Sequence, residues 1–187
     1  LKNGEEERLL SYLPAIVEGK ASKKRYAERI RENRLSKSGL WKFGISGDLP
    51  FLLAEVKNAD MLARANWAIK LYHYFNIKGL ALDVVLLCGE EHSYQDTLLQ
   101  EVRARTERFR AGFAGAGRIF VLEGGKVSTE EKNLLFTFCA CVLDTEQYRI
   151  ADRQFDAPLP VYSAAKPKES EPLGREELLY FNGYGGF

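Results

Sequence analysis

Two patterns of hydrophobic and polar positions alternate along the middle of the chain, one typical of buried strands and one typical of helices. This alternation predicts the fold. Residues 51–56, 82–88 and 118–122 are short, almost wholly apolar runs, as expected for strands covered on both faces. Each run precedes a stretch whose apolar residues recur at helical spacing. Alternating strands and helices imply parallel strands joined by right-handed crossovers. The pattern predicts a small three-layer α/β domain with a mainly parallel sheet of three to four strands.

The three predicted helices have apolar inner faces and polar residues suited to capping their first turns. The inner faces comprise Met61, Ala65, Ala68, Tyr72 and Phe75 in the first helix, Leu98, Leu99, Val102 and Phe109 in the second, and Leu134, Leu135, Phe138 and Val142 in the third. The predicted caps are Asn58 or Asp60, Ser93 with Asp96, and Ser128 with Glu131. Gly79 is predicted to turn the chain out of the first helix.

The segments on either side of this core have different textures. Residues 1–36 predict N-terminal helices, the first with Leu9, Leu10, Leu13, Ile16 and Val17 at helical spacing and ending at Gly19. Within 37–155, the α/β domain, the alternating apolar residues of 41–45 predict a fourth strand. Residues 156–177 have the Pro, Ser, Lys and Glu composition of an extended linker, and 178–187 turn apolar again, as at the start of another domain. A chain that opens on Leu1 and stops at Phe187 is expected to be part of a larger protein.

Composition narrows the classes of function. The 27 Lys and Arg residues against 26 Asp and Glu leave a net charge of +1, which gives no electrostatic reason to expect nucleic acid or an anionic membrane as partner. No apolar run approaches the roughly 20 residues of a membrane span. Cys88, Cys139 and Cys141 lack zinc-site spacing and are interpreted as buried apolar residues of a reduced compartment. Neither a metal nor a cofactor is expected.

Residues 40–50 form the most distinctive segment, with two glycines around Ser46 followed by Asp48. Such a turn could bind an anion or a hydroxyl group through a nest of backbone N–H groups. A tight turn fixed by a buried, hydrogen-bonded Asp48 carboxylate is the favoured interpretation. Trp41 and this turn are therefore predicted to contact a neighbouring domain, with sugar contact as the alternative.

A second set of candidates follows the strands. Glu90 and His92 come just after the second predicted strand, and Glu123 follows the third. Ligands of open parallel sheets lie outside the carboxyl ends of the strands, and two carboxylates with a histidine could perform acid/base chemistry. Polar loops and helix caps also place acids at this edge, so ligand or interdomain contact is preferred over catalysis.

Two motifs resemble one family. Residues 40–53 (LWKFGISGDLPFLL) resemble a segment of the cyclic β-1,2-glucan synthases and related proteins of glycoside hydrolase family 94, formerly glycosyltransferase family 36. Residues 179–187 (LYFNGYGGF) resemble the start of the β-sandwich domain of those proteins. The resemblance implies an α/β segment that precedes this sandwich and an (α/α)6 catalytic barrel. The family's catalytic and phosphate-binding residues would lie beyond Phe187, so none is carried onto this chain.

Two hypotheses of function follow. The first is a non-catalytic structural or interdomain module of a β-glucan phosphorylase or cyclic β-1,2-glucan synthase, with neighbouring domains of the parent as partners and a β-glucan oligosaccharide as a further candidate. The second is a small ligand-binding domain for a sugar, nucleotide sugar or phosphate at the strand-end edge. A cytoplasmic location is expected, in a parent that could itself sit at the inner membrane.

Overall fold

The computed structural model describes residues 4–18, 24–89, 95–110 and 116–143. Its α-helices are α1 (Glu5–Leu10), α2 (Leu13–Glu18), α3 (Ala27–Glu32), α4 (Leu62–Ile77), α5 (Gln95–Arg110) and α6 (Thr129–Phe138). Its strands are β1 (Phe51–Val56), β2 (Asp83–Cys88), β3 (Ile119–Glu123) and β4 (Cys141–Leu143). Short 3₁₀ segments cover Lys24–Tyr26, Lys37–Phe43, Ala59–Met61 and Gly124–Lys126. The predicted linker at 156–177 and the segment 178–187 lie outside the described residues.

The four strands form one parallel sheet in the order β3-β2-β1-β4. Leu53 of β1 lies opposite Val85 of β2 on one side and Val142 of β4 on the other. The chain thus adds strands outward from β1 through β2 to β3, and then returns to place β4 on the free edge of β1. The predicted α/β class and parallel sheet are confirmed.

Both faces of the sheet are covered, which explains the continuous apolar runs of β1 and β2. Leu52 and Leu86 pack on one face in a core shared with α1, α2, α4 and α5. Leu53 and Val85 pack on the other face in a core shared with α6 and the 3₁₀ segment Lys37–Phe43. Because successive side chains of a strand point to opposite faces, each strand supplies both cores and must be apolar throughout. Three layers result.

The predicted fourth strand was placed wrongly. Residues Lys37–Phe43 form a 3₁₀ helix that ends at Gly44 with a φ of 74°. With three residues per turn, Leu40 and Phe43 turn to the core while Trp41 stays exposed. The fourth strand is instead β4, so Val142 lies on a strand and not on the preceding helix, which ends at Phe138.

Of the predicted helix caps, the structure confirms the one on α6 and does not show the one on α4. Ser128 and Glu131 form the predicted capping box of α6. Neither Asn58 nor Asp60 caps α4 with a side-chain hydrogen bond, because a 3₁₀ turn at Ala59–Met61 leads into that helix. Ser93 lies outside the described residues. On α5, Phe109 is 45% exposed and does not belong to the inner face.

The N-terminal helices are confirmed, but the first of the predicted helices is divided into α1 and α2. The chain bends between α1 and α2, so Leu9 and Ile16 are buried while Leu10, Leu13 and Val17 are exposed. No helix within the described residues is long and apolar enough to cross a membrane.

Candidate functional site

The segment around Ser46 forms a turn at the amino end of β1. Gly44 and Gly47 have φ angles of 74° and 77°, which only glycine adopts without strain. The Asp48 N–H donates to the Ser46 hydroxyl over 3.2 Å. Ile45 is fully buried, whereas the Trp41 side chain is 68% exposed.

The prediction that Asp48 has a buried, hydrogen-bonded carboxylate is wrong. Asp48 is exposed. The side chain that orders the turn is that of Ser46, whose hydroxyl accepts the hydrogen bond from the Asp48 N–H. The physical reason is that the two positive-φ glycines already set the path of the chain, so a carboxylate is not needed to do so.

The second predicted set is described only at Glu123. Glu123 ends β3 at the carboxyl edge of the sheet and pairs with Lys126 over 2.9 Å. This ion pair spans one short 3₁₀ turn, so it serves that turn locally. Glu90 and His92 lie outside the described residues, and their proximity to Glu123 stays a prediction.

A cleft of about 710 Å³ opens at the carboxyl end of β1, and Trp41, Ser46, Asp48 and Glu123, the predicted site residues that the structure describes, do not line it. Asn58 and Asp60 line it from the loop after β1, Arg64 and Trp67 from the first turns of α4, and Arg8 from α1. Arg64 is fixed to the strand, because its Nη1 donates to the Glu55 carbonyl oxygen over 2.9 Å. Its Nε is buried without a hydrogen-bond acceptor.

The cleft is rich in positive charge around one aromatic ring. The Arg8 guanidinium carbon lies 5.4 Å from the Trp67 ring centre and the Lys70 ammonium lies 5.8 Å from it, distances at which a cation is attracted to the ring. Lys70 also forms an ion pair with Glu5. The helical spacing of Arg64, Trp67 and Lys70 puts all three on one side of α4.

The cleft adjoins the point where strand order reverses. β2 and β3 extend the sheet on one side of β1, and β4 pairs on its other side. Open α/β sheets bind ligands outside the carboxyl ends of strands at such a topological switch point. Asn58, two residues beyond β1, lies at that edge.

Sequence reasoning missed this cleft because Asn58 and Asp60 were interpreted as helix caps. The available signal was the run of Arg64, Trp67 and Lys70 at a spacing of three residues on a helix that follows a strand. Arg8 could not be found in this way, since it reaches the cleft from a helix more than 50 residues away in the chain.

A second groove of about 420 Å³ lies at the amino end of the sheet. Gly47 and Asp48 line it together with Val17 of α2 and Phe138 of α6. The turn at Ser46 therefore borders a surface groove at the amino ends of the strands, whereas the cleft lies at the carboxyl end of β1.

Comparison with known proteins gives one distant relative. A search of protein-family models found no match. The chain is 25% identical over 182 residues to the cyclic beta-(1,2)-glucan synthase NdvB of Rhizobium meliloti (strain 1021), an alignment that covers 86% of this chain. The chain spans 6% of the length of that relative. This similarity agrees with the resemblance to cyclic β-1,2-glucan synthases, whereas membership of glycoside hydrolase family 94 stays a prediction.

Proposed function

We propose that this chain is a non-catalytic module of a large carbohydrate-active enzyme and packs against neighbouring domains of its parent. The observation that carries the proposal is the similarity to a cyclic glucan synthase over 86% of this chain and only 6% of the relative. A match that covers most of this chain but only a small part of the relative is expected when the chain corresponds to one domain of a long multidomain protein.

The amino end of the sheet supports an interdomain role. Val17 beside the groove is 69% exposed, and Trp41 in the neighbouring 3₁₀ segment is 68% exposed. Exposed Trp is enriched where protein surfaces meet, and large apolar side chains in water gain free energy when a partner covers them. We assign this edge to contact with the rest of the parent chain.

The module assignment is tested by assaying this chain alone. We expect neither phosphate-dependent release of glucose 1-phosphate from β-1,2-glucan nor transfer of glucose to a glucan acceptor. Turnover above background that disappears on Glu123→Gln substitution would contradict a non-catalytic role.

The interdomain assignment is tested by mixing this chain with the rest of the parent, produced separately, and measuring association by calorimetry. Trp41→Ser and Val17→Ser should each weaken association at least tenfold. Leu10→Ser is the matched control, because Leu10 is 43% exposed on α1 and does not line the groove. An equal loss in all three variants would refute the assignment of this edge.

A second candidate function is favoured by the cleft at the carboxyl end of β1. Its position and its polar lining match those of a small-molecule site, so the module could also bind a sugar-containing ligand. A cytoplasmic location belongs to the same proposal and is supported by the three buried thiols, since reduced cysteines are typical of that compartment.

A further inference from the structure

We propose that the cleft at the carboxyl end of β1 binds a phosphorylated sugar, with Arg64 and Arg8 holding the phosphate. The inference rests on the second candidate function above and names its ligand class. It concerns residues outside every motif that carries the resemblance.

Arg64 supplies the first argument. Its Nη1 is occupied by the Glu55 carbonyl, which fixes the guanidinium in the cleft wall. Its Nε–H is buried and reaches no acceptor in the structure. The buried Nε cannot be reached from the cleft, so phosphate would bind the terminal nitrogens of the guanidinium, a group suited to phosphate, at the cleft wall that Arg64 lines.

The surrounding charges favour an anion. Arg8 and Lys70 line the cleft with Arg64, and Asp60 is the one acidic lining residue among the described residues. Lys70 forms an ion pair with Glu5, and Arg8 lies over the Trp67 ring, so both cations are held at the cleft. Charge-assisted hydrogen bonds from arginine to phosphate are about twice as strong as neutral ones.

The remaining polar groups suit hydroxyl groups. Asn58 and Asp60 follow β1 on the same rim as the arginines, and Asn66 lies one turn along α4. The Asn66 Oδ1 accepts from Arg105 over 2.9 Å, which orients its amide. Amide and carboxylate side chains can accept and donate as sugar hydroxyls require, whereas a phosphate ion alone would leave them unused.

The size of the cleft agrees with this class. Its volume of about 710 Å³ falls within the range of roughly 300–1,000 Å³ that small-molecule sites occupy. The 16-residue helix α4 begins at the same place, and the positive end of its dipole adds to the attraction for an anion. A free phosphate would fill only part of the space.

Tryptophan fluorescence gives a direct readout, because the chain has two tryptophans and only Trp67 lines the cleft. In a Trp41→Phe background we would titrate glucose 1-phosphate, inorganic phosphate and glucose. We expect glucose 1-phosphate to change Trp67 emission and to bind at least tenfold more tightly than phosphate or glucose. Its affinity should also fall as the salt concentration rises.

Two variants and a matched control test the residues. Arg64→Gln and Arg8→Gln should each lower the affinity for glucose 1-phosphate tenfold or more. Arg31→Gln removes the same charge from an exposed position on α3 and should leave the affinity within twofold. Should Arg64→Gln fail to fold by circular dichroism, Arg64→Lys, which keeps the charge but lacks the planar guanidinium, replaces it with the same expectation.

Three outcomes would overturn the proposal: no change in Trp67 emission with glucose 1-phosphate, equal affinity for glucose, or an equal loss in Arg31→Gln. Binding of a neutral β-glucan oligosaccharide without binding of glucose 1-phosphate would refute the phosphate while leaving the ligand-binding function standing. Absence of binding by every sugar would refute both. The interdomain proposal is measured by association and does not depend on either result.

Discussion

Gly117 shows how one residue can limit the packing of the sheet. A Cβ atom built at this position would lie 1.8 Å from the Leu82 carbonyl oxygen. The Gly117 carbonyl accepts from the Tyr72 hydroxyl over 2.7 Å, and the next residue, Arg118, donates its N–H to the buried Asp83 carboxylate over 2.7 Å. The entry into β3 is thus held against both β2 and α4 with no room for a side chain.

Gly117→Ala should therefore destabilise the fold by about 3 kcal/mol, since backbone must move to relieve the overlap. Gly79→Ala is the control, because Gly79 has a φ of 86° and open space around it. That variant should cost only the backbone strain of about 1–2 kcal/mol. Urea denaturation measures both, and equal effects would contradict the steric argument.

The three cysteines are buried apolar residues, as their surroundings in the sequence predicted. Burial raises the pKa of the Cys88 thiol to about 12, so the reactive thiolate is scarce at neutral pH. We expect the folded protein to show no rapid reaction with Ellman's reagent at pH 8 and the unfolded protein to react at all three thiols. Rapid reaction of a thiol in the folded protein would show that the core opens.

The revised position of Asp48 changes an expected effect. An exposed carboxylate that does not order its turn should contribute little, so Asp48→Ala should change the unfolding free energy by less than about 0.5 kcal/mol. A loss of more than about 1 kcal/mol in urea denaturation would support the original prediction that a buried Asp48 carboxylate fixes the turn.

At the scale of elements, α6 depends on its capping box. The Glu131 N–H donates to the Ser128 hydroxyl over 3.2 Å, and the Ser128 N–H donates to the Glu131 carboxylate over 2.9 Å. The helix brings Leu134, Leu135 and Phe136 into the second core. Ser128→Ala should cost about 1 kcal/mol, with exposed Thr129→Ala as the control.

This cap also predicts a pH dependence. A hydrogen bond from Lys42, followed by the backbone N–H of Ser128, holds the pKa of Glu131 below its ordinary value. The stabilisation is therefore present above the unfolded-state pKa of about 4.3 and is lost as pH falls through the lower folded-state pKa. The stability difference between the native protein and Glu131→Gln should shrink over that acidic range, and a constant difference would exclude the charge as its cause.

At the scale of the whole molecule, α1 links the N-terminus to the cleft. Glu6 accepts from the Tyr74 hydroxyl over 2.9 Å and pairs with Lys78 over 3.1 Å, while Leu9 is fully buried. These contacts of Glu6 and Leu9 hold α1 against α4, and Arg8 of α1 lines the cleft as a consequence.

Leu9→Ala should lower the unfolding free energy by about 2–5 kcal/mol, as for other buried leucines. Amide hydrogen exchange should rise first in α1, since the four-stranded sheet is covered by other elements as well. Leu10→Ala, at an exposed position one residue away, should have little effect. Uniformly faster exchange in β1 and β2 would mean that α1 is not a separable unit.

Local chemistry determined much of this protein from the sequence alone. The apolar runs of β1, β2 and β3, the Ser128–Glu131 box and the turn at Gly79 each depend on neighbours within a few residues, which the sequence displays directly. The α/β class follows from their order, because parallel strands in one sheet require crossover helices. The similarity to a glucan synthase likewise lay in contiguous segments.

Tertiary structure alone decided the rest. The three-residue β4 is a strand because Leu53 and Ala54 of β1 lie open to pair with it, and so short a run carries no signal of its own. Residues 41–43 belong to the 3₁₀ segment Lys37–Phe43 and not to a strand, because Leu40 of that segment packs in the core shared with α6. The cleft combines a loop after β1, one side of α4 and Arg8 of α1. Sites of this kind join groups far apart in the chain, and only the packing of the elements brings them together.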